Sequence, residues 1–194
     1  MDFQTVYYND VSKEQWDSWV TNIKATSYHH SWVWVDYSSK FQNVTENRSF
    51  ICLDRDSNPL AISPLMITAS KGFNEISING GPVGIPALAA QSTPSIRRKL
   101  LDAVFNIIWD CARANTVRKI VMAAHPLTRS VCEDTVSGFR NYFELLRYRM
   151  LYRVANTLVM DLSLTDEILL QNLSKYQRRH IMRSGKKSIK IKLK

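Results

Sequence analysis

Cysteine is scarce in this chain, with 3 in 194 residues and no C-x-x-C pair, which excludes a disulfide scaffold and a cysteine-built zinc site. Cys52, Cys111 and Cys132 lie in apolar stretches, where a reduced, buried thiol is expected. The 4 histidines show no H-E-x-x-H or other ligand spacing, so no metal site is expected. Glycine and proline number 6 each, too few for a low-complexity or collagen-like chain. No apolar run approaches the ~20 residues of a membrane span. The opening MDFQTVYYND also lacks the basic then apolar pattern of a leader. The expected location is cytoplasmic, at most peripheral at the inner face of a membrane. The sharpest absence is that of acid at one end: residues 168–194 contain 9 Lys and Arg and no Asp or Glu. Of the 26 basic and 17 acidic residues in the chain, that leaves 26 − 9 = 17 of each sign in residues 1–167, which are neutral. The whole formal charge of +9 is therefore a local device.

What is present reads as a folded α/β unit. Ser12-Lys13-Glu14-Gln15 fits a capping box, and Trp16, Trp19, Val20 and Ile23 recur at helical spacing behind it. In YHHSWVWVDYSSKF, Ser31 fits the cap of a short helix that brings Trp34 near Tyr37. A strand with Trp32 and Trp34 on one face is the other reading. Residues 49–53 and 60–69 are apolar runs joined by the turn-rich Asp54-Arg55-Asp56-Ser57-Asn58-Pro59, which predicts an antiparallel hairpin. A third strand, 75–78, runs into Asn79-Gly80-Gly81-Pro82-Val83-Gly84, where the ladder must break. Thr93 and Pro94 open a long helix with Ile96, Leu100, Val104, Ile107, Ile108 and Cys111 as its apolar face. A strand at 119–123 ends at His125-Pro126. Further on come a helix at 138–148, a strand at 155–162 and a helix at 165–173. Together these predict an α/β (α+β) fold with a mixed sheet flanked by helices.

The basic segment SKYQRRHIMRSGKKSIKIKLK reads helix, stop, strand. Ser174 and Gln177 form a second capping box, and Gly185 is placed to end a helix of about 175–184 in a left-handed cap. Lys175, Arg179, Arg183 and Lys187 are four apart and form one stripe, flanked by Arg178 and Lys186. Like charges at that spacing repel by a few tenths of a kcal/mol per pair, so the stripe calls for an anionic partner or full solvation. Leu169, Leu173, Tyr176 and His180 make an apolar edge for docking on the preceding domain. Beyond Gly185, Ile189, Ile191 and Leu193 alternate with Lys190, Lys192 and Lys194, the pattern of a half-buried strand. Such a strand needs a neighbour, either the first sheet or the rest of its own domain. The expected organisation is a domain at 1–167 and the opening helix and strand of a second, incomplete one at 168–194.

Four motifs in order carry a resemblance: H-x-S-x-x-W (His29, Ser31, Trp34), Gly81-Pro82-Val83 after a strand, Asp161-Leu162-Ser163 ending a strand, and L-S-K-x-x-R-R-x-I from Leu173 ahead of a basic helix. In this the chain resembles the Fem-type aminoacyltransferases and their relatives among the GNAT-fold acyltransferases. It matches the first of that family's two GNAT-like domains and the start of the second. The resemblance implies an enzyme that transfers an aminoacyl or acyl group to an amine of an envelope or peptidoglycan-type acceptor. The donor would be aminoacyl-tRNA or acyl-CoA, with no tightly bound cofactor. The partners implied are a phosphate-bearing envelope precursor, tRNA as donor carrier, and a second domain or partner chain without which this chain is inactive. It places Arg178 near substrate phosphates with Lys175 alongside, and guanidinium is well suited to that grip. Arg179 of the same basic stripe joins them as a candidate substrate contact, and Trp34 and Tyr37 are candidates for stacking on a sugar or base. Peptidoglycan branches carry Lys where this chain has Tyr37, and Lys40 is the nearby substitute.

Other readings compete. Gly80-Gly81-Pro82-Val83-Gly84 lacks the R/Q-x-x-G-x-G/A pattern that cradles pyrophosphate at a helix N-terminus, and Pro82 removes a donor, so it reads as a strand-ending turn. His125 has no evident carboxylate or nucleophile as partner, and the catalytic residues stay unassigned. The aromatic residues of the first 40 positions read first as core, with Trp34 and Tyr37 keeping a ligand role. The alternative function is a nucleic-acid-binding or adaptor protein using Arg178, Arg179 and Arg183 on phosphates or on an anionic membrane.

Overall fold

The computed structural model describes residues 2–90, 93–124, 147–148 and 165–186. Contacts divide the chain into two compact units, Met1–Tyr152 and Arg153–Lys194. The readings at Cys132, His125-Pro126, 138–146, 155–162, the Asp-Leu-Ser motif and 189–194 lie outside the described residues.

In the first unit the strands are β1 (Gln4–Tyr7), β2 (Val44–Asn47), β3 (Phe50–Leu53), β4 (Pro59–Ser63), β5 (Met66–Ser70), β6 (Phe73–Ile76), β7 (Val83–Gly84), β8 (Ala87–Leu88), β9 (Val117–Ile120) and β10 (Met122–Ala123). Its helices are α1 (Lys13–Asn22), α2 (Trp32–Ser39) and α3 (Pro94–Ala114). Hydrogen bonding defines sheets β1-β3-β4-β8, β2-β5-β6-β9 and β7-β10. These are segments of one bent meander, because each long strand crosses between them. β2 and β3 are separated only by Arg48-Ser49, and Arg48 N–H donates to Leu65 O at 2.8 Å across the bend. β4 and β5 are separated by Pro64-Leu65, where proline has no N–H to give a ladder. The chain thus runs β1, β2/β3, β4/β5 and β6/β7/β8 antiparallel, then crosses through α3 to β9/β10, which is parallel to β6 and β7. This is the mixed α/β sheet flanked by helices that the sequence predicts.

The Gly-Pro segment acts as an excursion from a strand rather than as its end. After Ile76 the chain leaves β9, turns at Asn79-Gly80 (φ 50° and 83°), and pairs Ile78 with Gly81 in both directions at 2.8 Å. Two successive positive φ angles are what a two-residue primed turn needs, and Asn-Gly supplies them cheaply. The chain then rejoins the same neighbour: Val121 N–H donates to Ile76 O at 2.9 Å, and its carbonyl accepts from Val83 N–H at 3.0 Å.

Local chemistry accounts for the helices. Ser12 Oγ accepts from Gln15 N–H, Ser31 Oγ from Trp34 N–H and Thr93 Oγ1 from Ile96 N–H, so each expected N-cap is in place. Residues 32–39 are helix and not strand. The face α3 buries is Leu100, Leu101, Val104, Phe105, Ile108 and Ala112. This is turned from the expected one: Ile96, Ile107 and Cys111 are only half-buried, because Phe105 and Leu101 fill the space over the sheet.

In the second unit, α4 (Asp166–Asn172) precedes α5 (Lys175–Lys186). The capping box is closed both ways, with Gln177 N–H to Ser174 Oγ at 3.3 Å and Ser174 N–H to Gln177 Oε1 at 3.1 Å. The helix runs through Gly185 to Lys186, so the expected stop at Gly185 is not where it ends. Interior glycine costs about 1 kcal/mol of helix propensity without forbidding the conformation. Among the described residues no helix is long and apolar enough to cross a membrane.

Candidate functional site

Eight rings of the first 41 positions, His29 among them, form two clusters. Tyr8, Trp16 and Trp32 form one: Tyr8 stacks on Trp32 at 4.2 Å and meets Trp16 edge-on at 5.4 Å. Trp16 is fully buried, and its indole N–H donates to His30 O at 2.8 Å. Burial, followed by the Asp36 carboxylate, pushes the Tyr8 phenol up, so it stays protonated and donates to Asp36 Oδ1 at 3.4 Å.

The second cluster faces outward. Trp34 has Tyr28 at 5.0 Å, His29 at 5.2 Å and Tyr37 at 5.9 Å, and Tyr37 has Phe41 at 5.3 Å. Tyr28 and Tyr37 are 50% and 56% exposed, which leaves a ring-lined surface open to a ligand. Trp34 Nε1 is buried with no hydrogen-bond partner among the described residues. The three named positions of H-x-S-x-x-W meet here: Ser31 caps α2 through Trp34 N–H, and the His29 ring packs edge-on against the Trp34 indole.

His30 fixes this patch to the sheet. It is 2% exposed; its Nε2 lies 2.9 Å from Ile85 O, and Ser27 N–H donates to Nδ1 at 3.0 Å. A carbonyl only accepts, so Nε2 carries the proton and Nδ1 is the acceptor. Burial lowers the pKa of His30 against the opposing pull of the Ile85 and Ser27 backbone, which keeps the ring neutral. Gly84 permits the close approach, since a Cβ there would sit 3.1 Å from His29 Cβ and 3.6 Å from Pro64 Cγ.

Trp34 and Tyr37 are therefore brought together on α2. Lys40 follows one turn after Tyr37 and holds Asp36 Oδ2 at 2.5 Å, a surface ion pair of about 0–1 kcal/mol that an anionic ligand can displace. Lys175, Arg178 and Arg179 lie on the first turns of α5 in the second unit. Lys175 and Arg179 are exposed and Arg178 is half-buried, and none has an ion-pair partner among the described residues. Of the expected stripe, Lys175, Arg179 and Arg183 lie four apart on α5, and Lys187 is outside the described residues. Leu173, Tyr176, Gln177, His180 and Ile181 line a shallow apolar groove beside it, and Tyr176 is 71% exposed.

Tyr28 and Phe41 are ligand-side rings that sequence reading did not single out. The i, i+4 spacing of Tyr37 and Phe41 was the available signal. Cys52 is buried and its thiol is pushed up to about 12 by desolvation, while burial also raises Cys111, so neither is a nucleophile at neutral pH. Among the described residues no group of three or more His, Cys, Asp or Glu is placed to hold a metal.

No protein-family model matches this chain, and no curated protein matches it. Among solved structures it is similar to a ribosomal-protein-alanine N-acetyltransferase from Brucella melitensis biovar Abortus, at 9% identity and a TM-score of 0.44, covering 82% of this chain and 98% of that one. It is also similar to an aminoglycoside antibiotic 6'-N-acetyltransferase from Acinetobacter baumannii, at 9% identity and a TM-score of 0.45, covering 82% of this chain and 97% of that one. At that level the likeness is one of chain path, and no reaction or substrate follows from it.

Proposed function

We propose that this chain works in acyl transfer, as the Fem-like N-terminal part of an enzyme that moves an aminoacyl or acyl group from aminoacyl-tRNA or acyl-CoA to an amine of an envelope or peptidoglycan-type acceptor. The observation that carries this reading is the convergence of His29, Ser31 and Trp34 into one unit that supports an exposed aromatic patch. A patch of rings with a buried indole N–H that has no partner among the described residues suits the flat or pyranose ring of an acceptor. On the second unit, Arg178 with Lys175 and Arg179 supplies charge-assisted donors suited to the acceptor's phosphates.

The test is a transfer assay in the protein that carries this chain, with each donor class against a nucleotide-linked envelope precursor. Arg178→Ala combined with Lys175→Ala is expected to weaken acceptor binding by tenfold or more, each charged hydrogen bond being worth about 1.5–3 kcal/mol. Transfer from neither donor, or unchanged acceptor affinity in the double variant, would overturn the reading. Tight binding to random duplex DNA with a steep salt dependence would instead support the nucleic-acid alternative.

A further inference from the structure

Away from the aromatic patch, the tip of the β5–β6 hairpin and the turn entering β9 enclose a pocket of about 440 Å³. Lys71 and Arg118 both line it, together with Ser70, Phe73, Asn74 and Thr116, and none of its lining residues is acidic. Neither cation has a counter-ion among the described residues. The ladder is irregular here. Lys119 pairs with Glu75, whose Oε2 is 3.8 Å from its Nζ, whereas Arg118 is the extra residue between the Asn74–Val117 and Glu75–Lys119 pairs and has no residue opposite it. Glu75 itself is 2% exposed and accepts from Ser77 Oγ at 2.7 Å, which keeps its charge turned inward.

The C-terminus of α3 ends near this pocket, and its carbonyls would repel an anion if they were bare. Three of them are covered: Asn115 Nδ2 donates to Cys111 O at 3.0 Å, Thr116 N–H to Arg113 O at 3.2 Å, and Asn115 O accepts from Asn74 Nδ2 at 2.9 Å and Thr116 Oγ1 at 2.8 Å. The lining therefore includes two basic residues, Lys71 and Arg118, with Ser70 and Phe73 beside them.

We infer that this pocket is a binding site for a small phosphate-bearing anion, with Arg118 and Lys71 as its two cationic contacts. Its lining shares no residue with the aromatic patch, and it stands or falls independently of the proposed acyl transfer. With both cations solvent-exposed, affinity is weak and salt-sensitive.

The experiment is calorimetric titration of the purified chain at low ionic strength with inorganic phosphate and with adenosine 5′-monophosphate, whose ring reports any use of Phe73. Lys71→Asn keeps a residue that tolerates the positive φ of 40° at that turn, and Arg118→Gln removes only charge. Each is expected to weaken binding about tenfold, the loss of roughly one charge-assisted hydrogen bond. These titrations are made in the Lys175→Ala/Arg178→Ala chain, which removes the phosphate donors proposed for α5. There the Lys71→Asn/Arg118→Gln double variant, shown folded by its thermal melt, is expected to abolish binding. Failure of the Lys175→Ala/Arg178→Ala chain to bind either anion, or binding that survives the added double variant, overturns the inference.

Discussion

The two aromatic clusters come from one stretch of chain and share one helix, yet they do opposite things. Trp32 and Trp34 are two residues apart on α2, roughly on opposite sides of it. Trp32 goes down onto Tyr8 and Trp16, in contact with the core, and Trp34 goes to the side where Tyr28 and Tyr37 stay in water. The difference teaches that aromatic richness by itself says nothing of role. What assigns the role is which side of α2 meets α1 and the sheet, and His30, bonded to Ile85, fixes that choice.

The largest way to break the comparison is through the buried cluster. Trp16→Ala removes a fully buried ring and leaves His30 O without its indole donor; we expect a loss of about 3–5 kcal/mol, read by chemical denaturation. A loss under 1 kcal/mol would mean that the cluster is not core. Gly84→Ala tests the seam between the clusters. The new methyl meets His29 at 3.1 Å and must displace residues 28–30, for an expected cost of about 1–3 kcal/mol and a loss of ligand binding at the patch.

His30 gives the pH dependence. Its folded pKa lies below the unfolded value of about 6.5, so the unfolded chain takes up the proton first as pH falls. The contribution is whole above that value. It is lost as pH drops below it at up to about 1.4 kcal/mol per pH unit, until the folded pKa is reached. Denaturation midpoints between pH 8 and 5, compared with those of His30→Asn, read this directly, and an equal slope in both proteins would refute it. The smallest effect on stability is expected at the open cluster. Tyr37→Ala, at a side chain 56% exposed, should change stability by about 0.5 kcal/mol or less while reducing acceptor binding. A stability loss as large as that of Trp16→Ala would erase the distinction.

Much of this was legible before any coordinates. The capping residues Ser12, Ser31, Thr93 and Ser174 mark four helix starts because their side chains accept from a backbone N–H three residues away. The β3–β4 hairpin and the basic stripe of α5 are likewise local. The short strands β1, β2, β7 and β8 were not legible: each has two to four residues, too few for a period to show, and exists only because a distant partner supplies its ladder. Within the candidate site, Trp34, Tyr37 and Lys40 follow from helical spacing. Tyr28 and His29 do not, since a short 3-10 turn at 28–30 sets their direction.

The sequence by itself determined where the charge lies, where the helices begin and which residues are aromatic, all properties of composition and near neighbours. The tertiary structure alone decided that the Gly-Pro segment is an excursion from a continuing strand. It also decided that burial keeps His30 neutral and that Trp32 packs against the core while Trp34 joins the exposed Tyr28 and Tyr37. Those outcomes depend on contacts between residues far apart in the chain, such as Val121 with Ile76 and Val83, Tyr8 with Trp32 and His30 with Ile85, which no local pattern encodes.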